Sequence, residues 1–222
     1  MANHTRVYHT RPSREVLLEA VTRQFHSGEG AIQFAPEAIA RSNADLLSTP
    51  ELRREFIDIY CDQGKEEAGR WLNLNHGPIA EAELEHRLGR YGLNPCGEIL
   101  GTDFHCNLSE IHLNRIDPND FEAQERAFKA GGITAAALLH HEFEVDRYRE
   151  SRELDPIVGV SFTGLFDFFV HAFGAEWLNW FVAGRPDTAE GKAFKATEAS
   201  YLKRWRAVVD KTVREYCVKH GL

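Results

Sequence analysis

The stretch from Ile157 to Ala183 constrains the fold of this chain more than any other. Behind Asp155-Pro156, the run from Ile157 to Thr163 (IVGVSFT) is apolar and β-branched, which predicts a buried strand. A very apolar helix is expected directly after it, from Gly164 to about residue 183. Asp167, His171 and Glu176 interrupt the apolar stretch, so it does not read as a membrane span. The aromatic residues Phe162, Phe166, Phe168, Phe169, Phe173, Trp177, Trp180 and Phe181 read as core, with a flat cofactor surface as the lesser alternative.

The rest of the chain reads as helix-rich with a few short strands. Ser13 is an N-cap for a helix whose stripe is Val16, Leu17, Ala20, Val21 and Phe25, ending near Ser27-Gly28. Ala31 to Phe34 reads as a short strand, and Pro36 and Pro50 open helices near 36–47 and 50–62. Residues 63–78 are polar and rich in Gly and Asn, which predicts a loop. A short helix follows over about 80–90, and 93–116 reads as loop and short strand. Asp117-Pro118 starts a helix that Gly131-Gly132 should break, with another over about 133–150. A long amphipathic helix closes the sequence, with Tyr201, Leu202, Trp205, Val208, Val209, Val213 and Tyr216 on one face.

Composition narrows the function. The 222 residues suffice for a sizeable core. A formal net charge of −8 argues against a broad nucleic-acid surface. Four unevenly spaced cysteines, Cys61, Cys96, Cys106 and Cys217, do not form a disulfide framework. With no apolar leader after Met1, the sequence predicts a cytoplasmic chain with reduced thiols and no membrane partner.

The tightest group of chemically capable residues is Asn94-Pro95-Cys96-Gly97-Glu98. If extended, it presents an amide, a thiol and a carboxylate on one side, at i, i+2 and i+4. Pro95 fixes its own φ, and Gly97 permits a tight turn. A second thiol follows in Phe104-His105-Cys106-Asn107-Leu108. Together they suggest thiol chemistry on a polyol. A bland reading is also open, since Asn-Pro-Cys-Gly is a good turn sequence on local grounds. A zinc site of Cys96, His105, Cys106 and His112 lacks the usual ligand spacing. Ser161 lies near a strand-to-helix turn, but the second glycine of a nucleophile elbow comes one place late. His140 and His141, adjacent on a helix, should face about 100° apart.

Asn94 to Ile99 resembles the radical-bearing finger loop of ribonucleotide reductases. The segment 104–113 (FHCNLSEIHL) is similar to the part of that family carrying a reducing cysteine. Residues 158–167 (VGVSFTGLFD) and 27–32 (SGEGAI) resemble further family segments, and the style is that of the adenosylcobalamin-dependent branch. The resemblance covers most of the chain from about residue 14. It implies an α/β, helix-rich fold: part of a ten-stranded α/β barrel with a central catalytic finger loop. Residues 1–222 would be the central part of that barrel domain, with upstream and downstream parts absent.

The implied function is reduction of ribonucleoside tri- or diphosphates to deoxyribonucleotides by a cobalamin-initiated thiyl radical, for DNA precursor synthesis. Cys96 would carry the radical, Glu98 act as base and Asn94 bind the ribose hydroxyls. Cys106 would deliver reducing equivalents with a cysteine not in this chain. Implied partners are the ribonucleotide, adenosylcobalamin, a thioredoxin-type reductant, and the remaining segments or chains of the reductase. A half-barrel would also leave an apolar face open around Phe166 to Trp180. The alternative is a non-catalytic helical or metal-binding relic.

Overall fold

The computed structural model describes residues 4–94, 97 and 99–222. The chain divides into two compact units. The first holds residues 1–104 with 153–155, and the second 105–152 with 156–222.

Unit 1 opens with β1 (Thr5–Tyr8), α1 (Arg14–Ser27) and β2 (Ala31–Phe34). The two strands pair in parallel, Thr5 opposite Ala31 and Tyr8 opposite Phe34. The ends of α1 are those the sequence specifies. Ser13 accepts from the Val16 N–H, and Gly28 closes the helix at φ +72°. Its apolar stripe is not buried, however: only Ala20 is, while Leu18, Val21 and Phe25 are exposed. Four helices follow: α2 (Ala35–Ser42), α3 (Pro50–Gln63), α4 (Lys65–His76) and α5 (Glu81–Gly89). Their core is Ile39, Leu47, Phe56, Leu72 and Leu88. Two short strands, β3 (Gly92–Leu93) and β4 (Leu100–Gly101), pair antiparallel.

The loop expected over 63–78 is therefore wrong, since α4 occupies it. Ala68, Gly69 and Leu72 share its buried side. A Cβ on Gly69 would fall 3.0 Å from Leu88, so the glycine serves close packing rather than a turn.

Unit 2 is built on β5 (Asn107–His112) and β6 (Val158–Thr163), parallel and in register over all six residues. Between them in sequence lie a 3₁₀ turn (Leu113–Arg115), α6 (Phe121–Ala137) and α7 (Asp146–Leu154). Then come α8 (Leu165–Val182) and α9 (Ala189–His220), which ends at Gly221. Helix α6 packs against both strands and α9. The core holds Leu113, Phe128, Phe168, Trp177 and Trp205.

Gly131-Gly132 does not break α6. Gly131 faces Ile111, Val160 and Ser109, and Gly132 faces Thr212 and Val213. Both glycines let the helix approach its neighbours closely. A Cβ on Gly131 would stand 3.0 Å from Ile111 and from Val160. Gly131→Ala is therefore expected to destabilise the chain by about 1 kcal/mol in urea unfolding, the clash outweighing the better helix propensity of alanine. The helix expected over 133–150 is likewise absent. A 3₁₀ turn (Leu138–His140) ends α6, and α7 begins at Asp146.

The barrel expectation is overturned. The molecule is 64% helical, and its strands form only three two-stranded sheets among the described residues. Six strands, two pairs parallel and one antiparallel, do not supply a ten-stranded wall. Short motifs carried that expectation, whereas strand supply decides a barrel, and long β-branched runs are scarce in this sequence. The aromatic face expected to be open is mostly core: Phe168, Phe169, Trp177 and Trp180 are buried, though Phe166 and Phe181 are exposed. No helix is long and apolar enough to cross a membrane among the described residues.

Candidate functional site

Asn94 follows β3 directly. Its side-chain Oδ1 accepts from the Ile99 N–H at 3.0 Å, and its carbonyl accepts from the Gly97 N–H at 2.9 Å. The second bond is the i to i+3 bond of a turn, not of an extended strand. Gly97 stands at φ +81°, which only glycine adopts without strain. So the Asn94 oxygen also staples the loop closed, a structural task that the alternation argument overlooked. Cys96 and Glu98, the proposed radical carrier and base, lie outside the described residues.

Cys106 is half-buried and reduced, one residue ahead of β5. Its surroundings are ordered by its neighbours. Asn107 Nδ2 donates to the Ile157 carbonyl at 3.0 Å, tying the start of β5 to the start of β6. His105 packs on Phe143, with ring centres 4.2 Å apart, and lies edge-on to Tyr148. Asn94 belongs to unit 1 and Cys106 to unit 2.

Cys61 on α3 and Cys217 on α9 are half-buried. Burial pushes the Cys61 thiol up, which disfavours the thiolate and so thiol exchange. Cys61 packs against the core of unit 1. No group of three or more His, Cys, Asp or Glu side chains could hold a metal ion among the described residues. Ser161 sits mid-strand on the exposed side of β6, three places before Gly164, so it forms no nucleophile elbow. His140 and His141 do face apart. The first meets Tyr216 and His220, the second Phe143.

Two polar clusters were missed in the sequence. In unit 1, Asp155 Oδ1 accepts from Arg90 at 2.8 Å, and Oδ2 lies 3.3 Å from His86 Nε2. The sequence showed Asp155 only as the residue before a proline. In unit 2, buried Glu198 accepts from Trp177 Nε1 at 2.7 Å and from Arg185 at 2.6 Å. Arg185 also lies over the Trp180 ring, 5.0 Å from its centre. A glutamate on the inward side of an amphipathic helix is the trace that could have flagged it. Glu198, Trp177 and Arg185 satisfy one another. Asp155 Oδ2, in contrast, is buried with no hydrogen-bond partner among the described residues although His86 is near, and His86 Nε2 itself accepts from Arg90 Nε at 3.1 Å.

The two strands of unit 2 expose one distinctive face. Ser109, Ile111, Val160 and Phe162 turn toward α6 and the core. Glu110, His112, Ser161 and Thr163 are exposed, with Glu110 opposite Ser161 and His112 opposite Thr163. No protein-family model, curated protein or solved structure matches the chain.

Proposed function

We propose that this chain is a catalytic segment of a ribonucleotide reductase of the adenosylcobalamin-dependent kind, acting in the cytoplasm with complementing chains. The observation that carries the reading is the pair of motifs at 94–99 and 104–113. Strand β3 leads into the first motif, and β5 carries residues 107–112 of the second. The described residues do not fit a corrin. The aromatic rings of α8 pack largely among themselves and against α9, and a groove of unit 2 between α6 and α9 is lined by charged residues such as Glu125, Lys129 and Arg204. The cofactor is therefore assigned to surfaces that the complementing chains contribute.

The chemistry begins at Cys96 as a thiyl radical. Its sulfur takes the 3′-hydrogen, forming an S–H bond and leaving a carbon radical, a step that demands close positioning. Glu98 accepts the proton of the 3′-hydroxyl. The 2′-hydroxyl leaves as water with a proton from a thiol. Cys106 and a cysteine of a complementing chain supply the two electrons and end as a disulfide. Cys96 returns hydrogen to C3′, which restores the thiyl radical. A thioredoxin-type dithiol then reduces the disulfide by exchange.

Cys106→Ser tests this division of labour. In the reconstituted enzyme it should retain the first hydrogen abstraction, read as loss of label from the 3′ position. It should stop dithiol-driven turnover, because no disulfide can form. Trapping a disulfide between Cys106 and Cys96, or between Cys106 and Cys61, during turnover would contradict the assignment.

A further inference from the structure

We infer that Phe143 is a positioning residue for Cys106. Its ring holds the residue just ahead of the thiol, and so sets how readily Cys106 swings out to exchange with a dithiol. The inference rests on the function proposed above for the exchange step, and adds a residue that neither motif contains.

Phe143 lies in the loop of unit 2 between the 3₁₀ turn at 138–140 and α7. Its neighbours Glu142 and Glu144 are exposed, yet Phe143 is half-buried. Four side chains surround it. The ring centre of His105 lies 4.2 Å away, that of His141 4.8 Å and that of Tyr148 6.3 Å. The guanidinium carbon of Arg152 lies 5.6 Å from the Phe143 ring centre, and Arg152 also donates to the His141 carbonyl. Tyr148 and Arg152 stand at i and i+4 on α7, hence on one face. His105 meets Tyr148 too, edge-on at 5.6 Å. Of these groups His105 alone precedes α6 in the chain, so the cluster pins it to a loop and a helix that follow α6.

Cys106 therefore stands between two anchors. His105 on one side is held by the Phe143 cluster, and Asn107 on the other donates to the Ile157 carbonyl at 3.0 Å. Cys106 itself is half-buried, and a half-buried group reacts through local opening of the segment that carries it. Asn107 begins a strand paired over six residues, so the opening falls on the His105 side. Exchange needs that opening. A thiolate of the dithiol attacks the disulfide between Cys106 and its partner cysteine, the S–S bond breaks, and a mixed disulfide forms as one cysteine leaves as thiolate. The second thiolate of the reductant then breaks the mixed disulfide. The dithiol ends as a disulfide, and its two protons pass to the two cysteines. Three sulfurs must line up at each step, which a cysteine fixed on both sides resists.

Exchange of the 222-residue chain with oxidised glutathione tests this. It is read cysteine by cysteine by mass spectrometry and scaled to the rate of the same cysteine in concentrated urea. Here the cysteine thiolate attacks the glutathione disulfide, takes one half and releases the other as thiolate. Phe143→Ala should speed exchange at Cys106 about fivefold, the scale of one aromatic pair. Cys61 and Cys217 lie on α3 and α9 and should keep their parental rates. Phe143→Tyr keeps the ring and should restore the parental rate at Cys106. His105→Ala cuts the same link from the other side, and gives the same reading should Phe143→Ala not fold. An unchanged or slower Cys106 in either folded alanine variant would overturn the inference. So would equal acceleration at Cys61, Cys106 and Cys217, which marks a general loosening, or a tyrosine variant as fast as the alanine one. The readout needs neither nucleotide nor cobalamin, so it stands apart from Cys96-dependent turnover, by which the proposed function is judged.

Discussion

Cys96→Ser should abolish nucleotide reduction in the reconstituted enzyme while leaving the fold intact. An O–H bond resists hydrogen abstraction far better than an S–H bond, and the two side chains are nearly isosteric. A barrier rise of only ~4 kcal/mol already costs about a thousandfold in rate, so turnover should fall by at least that factor. The loss should fall on kcat rather than on substrate binding, because the interaction removed exists only in the reacting state. Rapid-quench assays of deoxyribonucleotide formation decide the matter, with circular dichroism to confirm the fold. Substantial turnover by the serine variant would sink the thiyl assignment, and with it the proposed reaction.

Trp205→Ala should be the most destabilising single change in unit 2. Trp205 is 2% exposed and stacks on Phe128 with ring centres 4.9 Å apart. It also meets Phe162 and Phe168 edge-on. Its Nε1 donates to Gln124 Oε1 at 3.0 Å, and Gln124 is fully buried. Truncation opens a large cavity and orphans that amide oxygen, for a loss of about 4 kcal/mol. Domains are stable by only about 5–15 kcal/mol, so the urea midpoint should fall steeply. Trp205→Phe separates the two causes. It keeps most of the apolar volume but still orphans Gln124, so about 1.5 kcal/mol should be lost. If the alanine variant unfolded at the parental midpoint, the stacked core described for unit 2 would be wrong.

Local signals were legible wherever one residue type decides the outcome. Ser13, Pro50 and Gly28 mark helix ends in sequence and do so in the structure. The strand and apolar helix after Pro156 were equally plain, because β-branched residues and a long, mostly apolar run leave few other conformations. Reading failed where a residue's purpose is set by a distant neighbour. Gly69 and Gly131 looked like breaks, yet each exists for a side chain far along the chain, Leu88 in one case and Val160 in the other. The stripe of α1 was visible but its burial was not, since amphipathicity states a preference and not a partner. At the candidate site, the spacing of Asn94 promised a presented amide, and its oxygen proved to close its own loop. Asp155 and Glu198 gave no warning of their charged partners, because pairing across unit 1 or unit 2 leaves no local pattern.

Asp155 has one more implication, for anyone who would divide this chain. The tripeptide 153–155 belongs with residues 1–104, although 48 residues of the other unit, 105–152, intervene. Neither unit is a single stretch of sequence. A gene cut after residue 104 would encode Arg90 and His86 but not the carboxylate that meets both. Its complement would carry that carboxylate with nothing of its own unit to receive it. Halves made at that junction are thus each chemically unfinished, and they should recombine better than either survives alone.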